Sequence, residues 1–412
     1  MTISREQMLK LDETDPVKGY RSKFQLPDKM IYMDGNSLGA LPKAAIKRMQ
    51  NAVEDEWGRG LITSWLDANW VTLPQRVGDK IANFIGANSG EVTVCDSTSV
   101  NLFKALCAAL HINDDRKVML SEKGNFPTDL YIMNGVERFA GQNVVSKIVE
   151  PEHILDALNE DVAVLLLTQV HYKTGMIRDM AQINRRAHEV GALVVWDLSH
   201  SAGAIPVDLN ACVADFAVGC GYKFLNGGPG APAFIYAAKR HQNNQIPVLS
   251  GWFGHQDPFL FTDDYAPAND VRKFLCGTPP VLALTALEIG VDIFCEVDPH
   301  QLRKKAQRLG SLFISLMQEK CGHYGFKIIS PIDDELRGGH VSLSHENGYA
   351  IMQAVKAMGL IGDFRAPDVL RFGITPLYLR YEDIYEAVDI IETVMNTKAW
   401  NNEEFKCRAD VT

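Results

Sequence analysis

No apolar run in this chain approaches the ~20 residues that a membrane-spanning helix needs. Positive charge is also short: 41 Lys and Arg stand against 51 Asp and Glu, a formal net charge of -10. A nucleic-acid partner calls for a basic face, and this balance argues against one. The eight cysteines are scattered, with no CxxC pair and no regular spacing, which speaks for isolated thiols in a reducing compartment. Residues 1–10 lack the apolar core of a secretory leader, the histidines form no HExxH pattern, and no internal repeat or low-complexity segment is present. What remains is the composition of an ordinary globular protein, 46% hydrophobic and 22% charged over 412 residues. That length suffices for two or three domains, and a cytoplasmic enzyme is the expectation.

One stretch stands out against that background. Asp197 opens the run Asp-Leu-Ser-His-Ser-Ala-Gly, and Lys223 lies within Gly221-Tyr222-Lys223-Phe224-Leu225-Asn226-Gly227-Gly228. Each follows a short apolar segment, residues 193–196 and 216–218. In open α/β sheets, ligands bind at the carboxyl ends of strands. A lysine there can form a Schiff base with an aldehyde cofactor, and an aspartate can hold a protonated pyridine nitrogen. Together these are the chemistry of pyridoxal phosphate. Either residue alone reads as a strand-end cap or a solvated lysine.

The rest of the chain supplies the frame. A helix is predicted over 4–13, ended by Thr14-Asp15-Pro16. An apolar run at 30–33 leads into the tight turn Asp34-Gly35-Asn36-Ser37-Leu38-Gly39. Leu41-Pro42 opens a helix to about Trp57, and a second helix covers 74–86. Trp65 and Trp70, between them, either line a pocket for a planar substrate or pack a core or subunit contact. Strands are predicted at 92–94, 117–120, 161–170, 192–196, 215–220 and 233–237, with helices starting near Val100, Leu130 and Ala181. Such alternation predicts an α/β fold, a mostly parallel sheet with helices on both faces. A long helix, 280–297, leads into an α+β pattern: a helix at 306–319, strands at 326–329, 340–343 and around Arg371, helices at 348–358 and 381–394, and a polar, loose tail after Asn396. The expected domains are an arm at 1–30, a large cofactor-binding domain at 31–280 and a small one at 281–412.

Several side chains carry a double reading. Thr98 and Ser99 open a helix, where hydroxyls serve as ordinary N-caps or as a phosphate cup aided by free backbone N–H groups. Phe126 and Asp129 suit a stacking face and a polar rim contact, or a proline-containing helix entry. His200, three residues after Asp197, suits a place around the cofactor better than a metal pair, since no third ligand lies nearby in sequence. Trp252 offers an indole donor that can reach a phosphate oxygen, and Thr278 a hydroxyl beside Gly277. Arg371 sits among apolar neighbours, where it needs an anion. A structural salt bridge satisfies that need, and so does a substrate α-carboxylate, the preferred reading beside amino-acid chemistry.

Taken together, the chain resembles the fold-type I pyridoxal phosphate enzymes and, among them, the kynureninases. The resemblance spans nearly the whole chain. It rests on Met33-Asp34-Gly35-Asn36-Ser37-Leu38-Gly39, Asn125-Phe126-Pro127-Thr128-Asp129, Trp196-Asp197-Leu198-Ser199-His200-Ser201-Ala202-Gly203, Gly221-Tyr222-Lys223-Phe224-Leu225-Asn226 and Arg371-Phe372-Gly373. It implies a sheet of the seven-stranded type and hydrolysis of L-kynurenine to anthranilate and L-alanine in tryptophan breakdown, with the preference between kynurenine and its 3-hydroxy form left open. Lys223 would carry pyridoxal 5'-phosphate covalently, Asp197 would pair with the pyridine nitrogen, and Phe126 would stack on the ring. Thr98, Ser99, Tyr222, Trp252 and Thr278 would hold the phosphate, the last two from the partner subunit of a homodimer. Asp129, Thr168 and His200 would complete the cofactor shell, Arg371 would take the substrate carboxylate, and Tyr222 would shuttle a proton. A cysteine desulfurase would need a mobile cysteine, which Arg337-Gly338-Gly339-His340 does not offer. An aminotransferase, the nearer rival, would cycle the cofactor to its amine form with a keto acid. A silent ligand sensor would have no use for both Lys223 and Asp197.

Overall fold

The segment Val162–Thr168 is buried at every position. A strand without a polar face belongs in the middle of a sheet covered on both sides. The computed structural model, which describes residues 3–141, 144–243 and 247–408, places it there. We number the strands of the large sheet β1 (Val92–Val94), β2 (Val118–Glu122), β3 (Val145–Val149), β4 (Val162–Thr168), β5 (Leu193–Asp197), β6 (Phe216–Gly219) and β7 (Phe234–Ala237). Their order is β1-β7-β6-β5-β4-β2-β3. Every pairing from β6 to β3 is parallel, and β7 runs antiparallel to both β6 and β1. The sheet is therefore mostly parallel and seven-stranded.

Two cores follow from the alternation of side chains along each strand. Val164 and Leu166 join one with Leu102, Leu106 and Met133 of the covering helices Thr98–Ile112 and Pro127–Ala140. Leu165 and Leu167 join the other. Strand β3 was not foreseen. It is an edge strand, polar at two of five positions and largely exposed, so the apolar signal that revealed the inner strands is missing from it.

Helix Val281–Glu296 lies along Leu73–Phe84, with Glu288 accepting from Arg76 at 2.8 Å and from Lys80 at 2.9 Å. Beyond it, helix Pro299–Cys321 covers a four-stranded antiparallel sheet in the order Lys327–Ile328, His340–Ser344, Val369–Gly373, Asp363–Arg365. Helix Arg5–Glu13, opened by a capping box of Ser4 and Gln7, packs on helix Tyr381–Thr397, and the Asp12 carboxylate caps that helix through the amides of Tyr381 and Glu382. Ile31–Tyr32 pairs with Leu360–Ile361.

Two expectations need correcting. The helix opened at Pro42 is regular only over Lys43–Asn51 and continues in wider π-turns over Ala52–Gly60. The tail is not loose as far as residue 408: Trp400 and Phe405 anchor it on the core, and the Tyr349 hydroxyl donates to the Cys407 carbonyl at 3.0 Å. Residues 409–412 lie outside the described residues. Among the described residues no helix is long and apolar enough to cross a membrane.

Candidate active site

The carboxyl ends of β1, β2, β4, β5 and β6 open on one edge of the sheet. The residues that follow them in sequence are those singled out above. Asp197 ends β5 directly beside Thr168, which ends β4. Lys223 sits in the turn after β6, and that turn closes through Asn226, whose amide donates to the Lys223 carbonyl at 3.0 Å. Asn226 holds a φ of 56°, a left-handed conformation that asparagine tolerates better than most residues. The Asp34–Gly39 turn abuts this loop, the Gly39 amide donating to Tyr222 O at 2.8 Å. A Cβ at Gly39 would lie 2.3 Å from the Lys223 carbonyl oxygen, so only glycine fits.

Lys223 Nζ lies 3.1 Å from His200 Nε2, 5.8 Å from the Phe126 ring centre and 5.9 Å from that of Tyr222. Asp197 Oδ1 accepts from the Ser199 amide at 2.8 Å. The Thr168 hydroxyl donates to Asn125 Oδ1 and stands 3.5 Å from Asp129 Oδ2. Asn125 also caps the Phe126 amide at 2.8 Å, so it fixes both the ring and the threonine. Its place in the motif was visible in the sequence; this double task was not.

The charges around Lys223 are unbalanced. Burial raises the pKa of both Asp129 and Asp197, and Asp197 repels charge on Asp129, pushing the latter well above the carboxylate range. Burial, and then Lys223, push His200 far below the usual imidazole value, so the lysine faces a neutral ring. His200 Nδ1 is buried without a partner. His340, 5.6 Å from it between ring centres, has neither ring nitrogen satisfied and is lowered to about 3, first by burial and then by Arg371. Nothing in the sequence pattern marked His340 as a neighbour of His200.

At the other side of Lys223, Ser97 is the N-cap of helix Thr98–Ile112, its hydroxyl accepting from the Val100 amide. The capping role is thereby filled, and among the described residues the hydroxyls of Thr98 and Ser99 have no hydrogen-bond partner. Thr98, Ser97, Asp96, Tyr222 and Pro280 line a pocket of about 410 Å³. Burial pushes the Tyr222 phenol up to about 12. Two expected contributors lie elsewhere within a single chain. Trp252 is surrounded by Phe253, Phe259 and Phe261, and Thr278 is exposed. Trp65 and Trp70 pack on each other: Trp65 meets Trp70 edge-on at 5.8 Å, and the Trp70 indole donates to Glu56 at 2.9 Å.

Arg371 is fully buried and has found its anion inside the protein. Its Nε donates to Asp363 Oδ1 at 2.7 Å, Nη2 to Oδ2, and Nη1 to the Tyr172 carbonyl at 2.6 Å. Asp363 lies directly opposite Arg371 in a hairpin. The signal was present: Ala366-Pro367-Asp368 marks a turn, and counting back from it pairs the two residues. Asp363 also meets Arg365 at 2.8 Å, so one carboxylate serves two guanidinium groups. Ser37 bridges the pair, donating to Asp363 at 2.6 Å and accepting from Arg371 at 3.1 Å. Asp34, close by, is pushed up to about 7 by burial and by Asp363.

Compared with known proteins, residues 302–391 match the family model of the kynureninase C-terminal domain. The whole chain is 45% identical to a kynureninase of Burkholderia pseudomallei (strain K96243), over 99% of this chain and 100% of that one. The chain belongs to the kynureninase family. Among solved structures, the apo cysteine desulfurase of Thermococcus onnurineus NA1 covers 92% of this chain and 98% of its own, with a TM-score of 0.78 and 16% identity. A C-DES mutant solved with glycine covalently linked to its PLP cofactor gives a TM-score of 0.74 at 14% identity, over 95% of this chain and 99% of that one. Those two share the fold; the kynureninase relative shares the sequence as well.

Proposed function

We propose that this chain binds pyridoxal 5'-phosphate at Lys223 and hydrolyses L-kynurenine to anthranilate and L-alanine. The observation that carries the reading is the convergence of Lys223, Asp197 and Phe126 on one sheet edge. Groups without protein partners fit the cofactor there. They include the hydroxyls of Thr98 and Ser99 at a helix N-terminus, suited to a phosphate, and the buried His200 Nδ1. The buried carboxyls of Asp129 and Asp197 suit a cationic ring nitrogen. Trp252 and Thr278 join the phosphate site from a second copy in this reading.

When bound, pyridoxal phosphate supplies an electron sink for charge developing on the substrate. The chain's own residues do the rest. Lys223 takes and returns the α-proton through its amine. Asp197, with Asp129 behind it, keeps the ring nitrogen protonated. Arg371 and Arg365 together outweigh Asp363 by one positive charge, which a substrate carboxylate neutralises. The hydroxyl of the consumed water ends on the acyl carbon and makes the anthranilate carboxylate. Its hydrogen ends on the departing carbon, giving the alanine methyl, and the Tyr222 phenol delivers that proton. Its high pKa keeps the proton in place until the carbon is ready for it.

A homodimer completes the picture. Val53, Trp57, Leu61, Ile62 and Leu66 are all exposed along one run of short helices, a patch that a second copy would cover. All eight cysteines are free, which supports a reducing, cytoplasmic location. Mixing the purified chain, pyridoxal phosphate and L-kynurenine should release fluorescent anthranilate. A keto acid product with cofactor cycling would replace this reading by transamination. Light scattering at the mass of one chain would remove the dimer.

A further inference from the structure

Lys104 is a lysine that the proposed chemistry does not use, yet it is only 2% exposed. It lies within helix Thr98–Ile112, behind the phosphate pocket. Its ammonium donates to Asp96 Oδ2 at 2.5 Å and to the Phe274 carbonyl at 2.6 Å, and meets Asn101 Oδ1 at 3.4 Å and Cys95 Sγ at 3.6 Å. Asp96 has a φ of 49°, a left-handed conformation that aspartate tolerates, and its carboxylate is partly exposed to the pocket that Thr98 lines. An unanswered carboxylate there would repel a phosphate dianion.

We propose that Lys104 is a positioning residue for the cofactor phosphate. It neutralises Asp96 from behind and so makes a pocket with a built-in carboxylate able to accept a dianion. It also ties the turn before Thr98 to the segment that starts at Phe274 and carries Thr278 and Pro280. The ammonium stays charged: burial pulls its pKa down, the hydrogen bond and charge of Asp96 push it up, and the net shift is above the usual lysine value. Cys95 itself is pushed up to about 12 by burial, so Asp96 is the anion that matters.

This inference rests on pyridoxal phosphate binding, and the test separates the two. The cofactor-stripped full chain is titrated with pyridoxal phosphate and with pyridoxal, which lacks the phosphate. Lys104→Met should weaken pyridoxal phosphate about tenfold or more and leave pyridoxal within about twofold, because only the dianion meets the bared carboxylate. Adding Asp96→Asn to it should recover most of the loss. Asp96→Asn alone, which keeps the buried cation, should bind pyridoxal phosphate at least as tightly as the wild type, and it serves if Lys104→Met does not fold. Equal losses for both ligands would mark a purely structural lysine and overturn the proposal, as would a double variant no better than Lys104→Met, or selective weakening by Asp96→Asn. A wild type that binds neither ligand overturns the functional reading and this proposal with it.

Discussion

Lys104, paired with Asp96, and Lys223, next to Tyr222, each adjoin a residue that lines the same pocket, yet their surroundings differ in kind. Lys104 is ringed by a carboxylate, a carbonyl, an amide oxygen and a thiol. Among the described residues Lys223 has one polar contact, a neutral imidazole, and otherwise looks onto ring faces. A saturated buried cation is part of the framework. A lysine left with one weak partner has an amine to spend on a ligand. The same contrast extends to their neighbours. The imidazoles of His200 and His340 keep ring nitrogens without a partner, while the ions around Arg371 are shared out among protein partners.

Substitution at the sparse lysine should have the largest effect. Lys223→Ala should lower turnover by about 10⁴-fold while thermal unfolding stays near wild type, since the side chain holds nothing else in place. A large loss of stability would erase the distinction drawn between the two lysines. Tyr222→Phe comes next. It should lower kcat by about 100-fold with KM changed only a few-fold, and equal turnover would remove the phenol from proton delivery.

A smaller effect is expected at the arginine side, read through pH. Asp34 is raised to about 7, so it is neutral below that pH and leaves the guanidinium pair one charge in excess. As pH rises through 7, Asp34 ionises and cancels that excess. KM for the amino-acid substrate should then climb about threefold to tenfold, and in Asp34→Asn the profile should be flat. Persistence of the rise in that variant would mean another group titrates.

The smallest effect concerns stability. His340 has a folded pKa of about 3 against an ordinary value of 6.5. Below 6.5 the unfolded chain binds a proton that the folded one refuses, so stability present above 6.5 is lost as pH falls toward 3. His340→Leu should remove about 1.4 kcal/mol per pH unit from that slope between pH 6 and 4.5, as followed by urea unfolding. An unchanged slope would place the acid sensitivity elsewhere.

How legible each part was in the sequence follows from the range of its interactions. Strands β4, β5 and β6 announce themselves because burial on both faces forces continuous apolar runs, and the residues after them then fall on the ligand edge. Edge strand β3 carries no such constraint. The Lys223–Asp197 pair could be read because the cofactor demands those two side chains at strand ends. Lys104 could not, since its partners at 95–96 and at 274 meet only after folding. Asp363 lies between these cases: its pairing with Arg371 is local enough to count from the turn, but the apolar setting of the arginine drew attention to an external anion instead.

The hairpin that joins Asp363 to Arg371 also sets a rule for sequence drift. The two residues face each other because three residues, Ala366 to Asp368, separate Arg365 from its partner Val369. Side chains on neighbouring positions of a strand point to opposite faces. Exchanging residues in this bend should therefore be harmless to the pair, whereas adding or deleting one would turn the guanidinium away from its carboxylate. The length of the bend, more than its composition, is what natural or laboratory evolution must conserve.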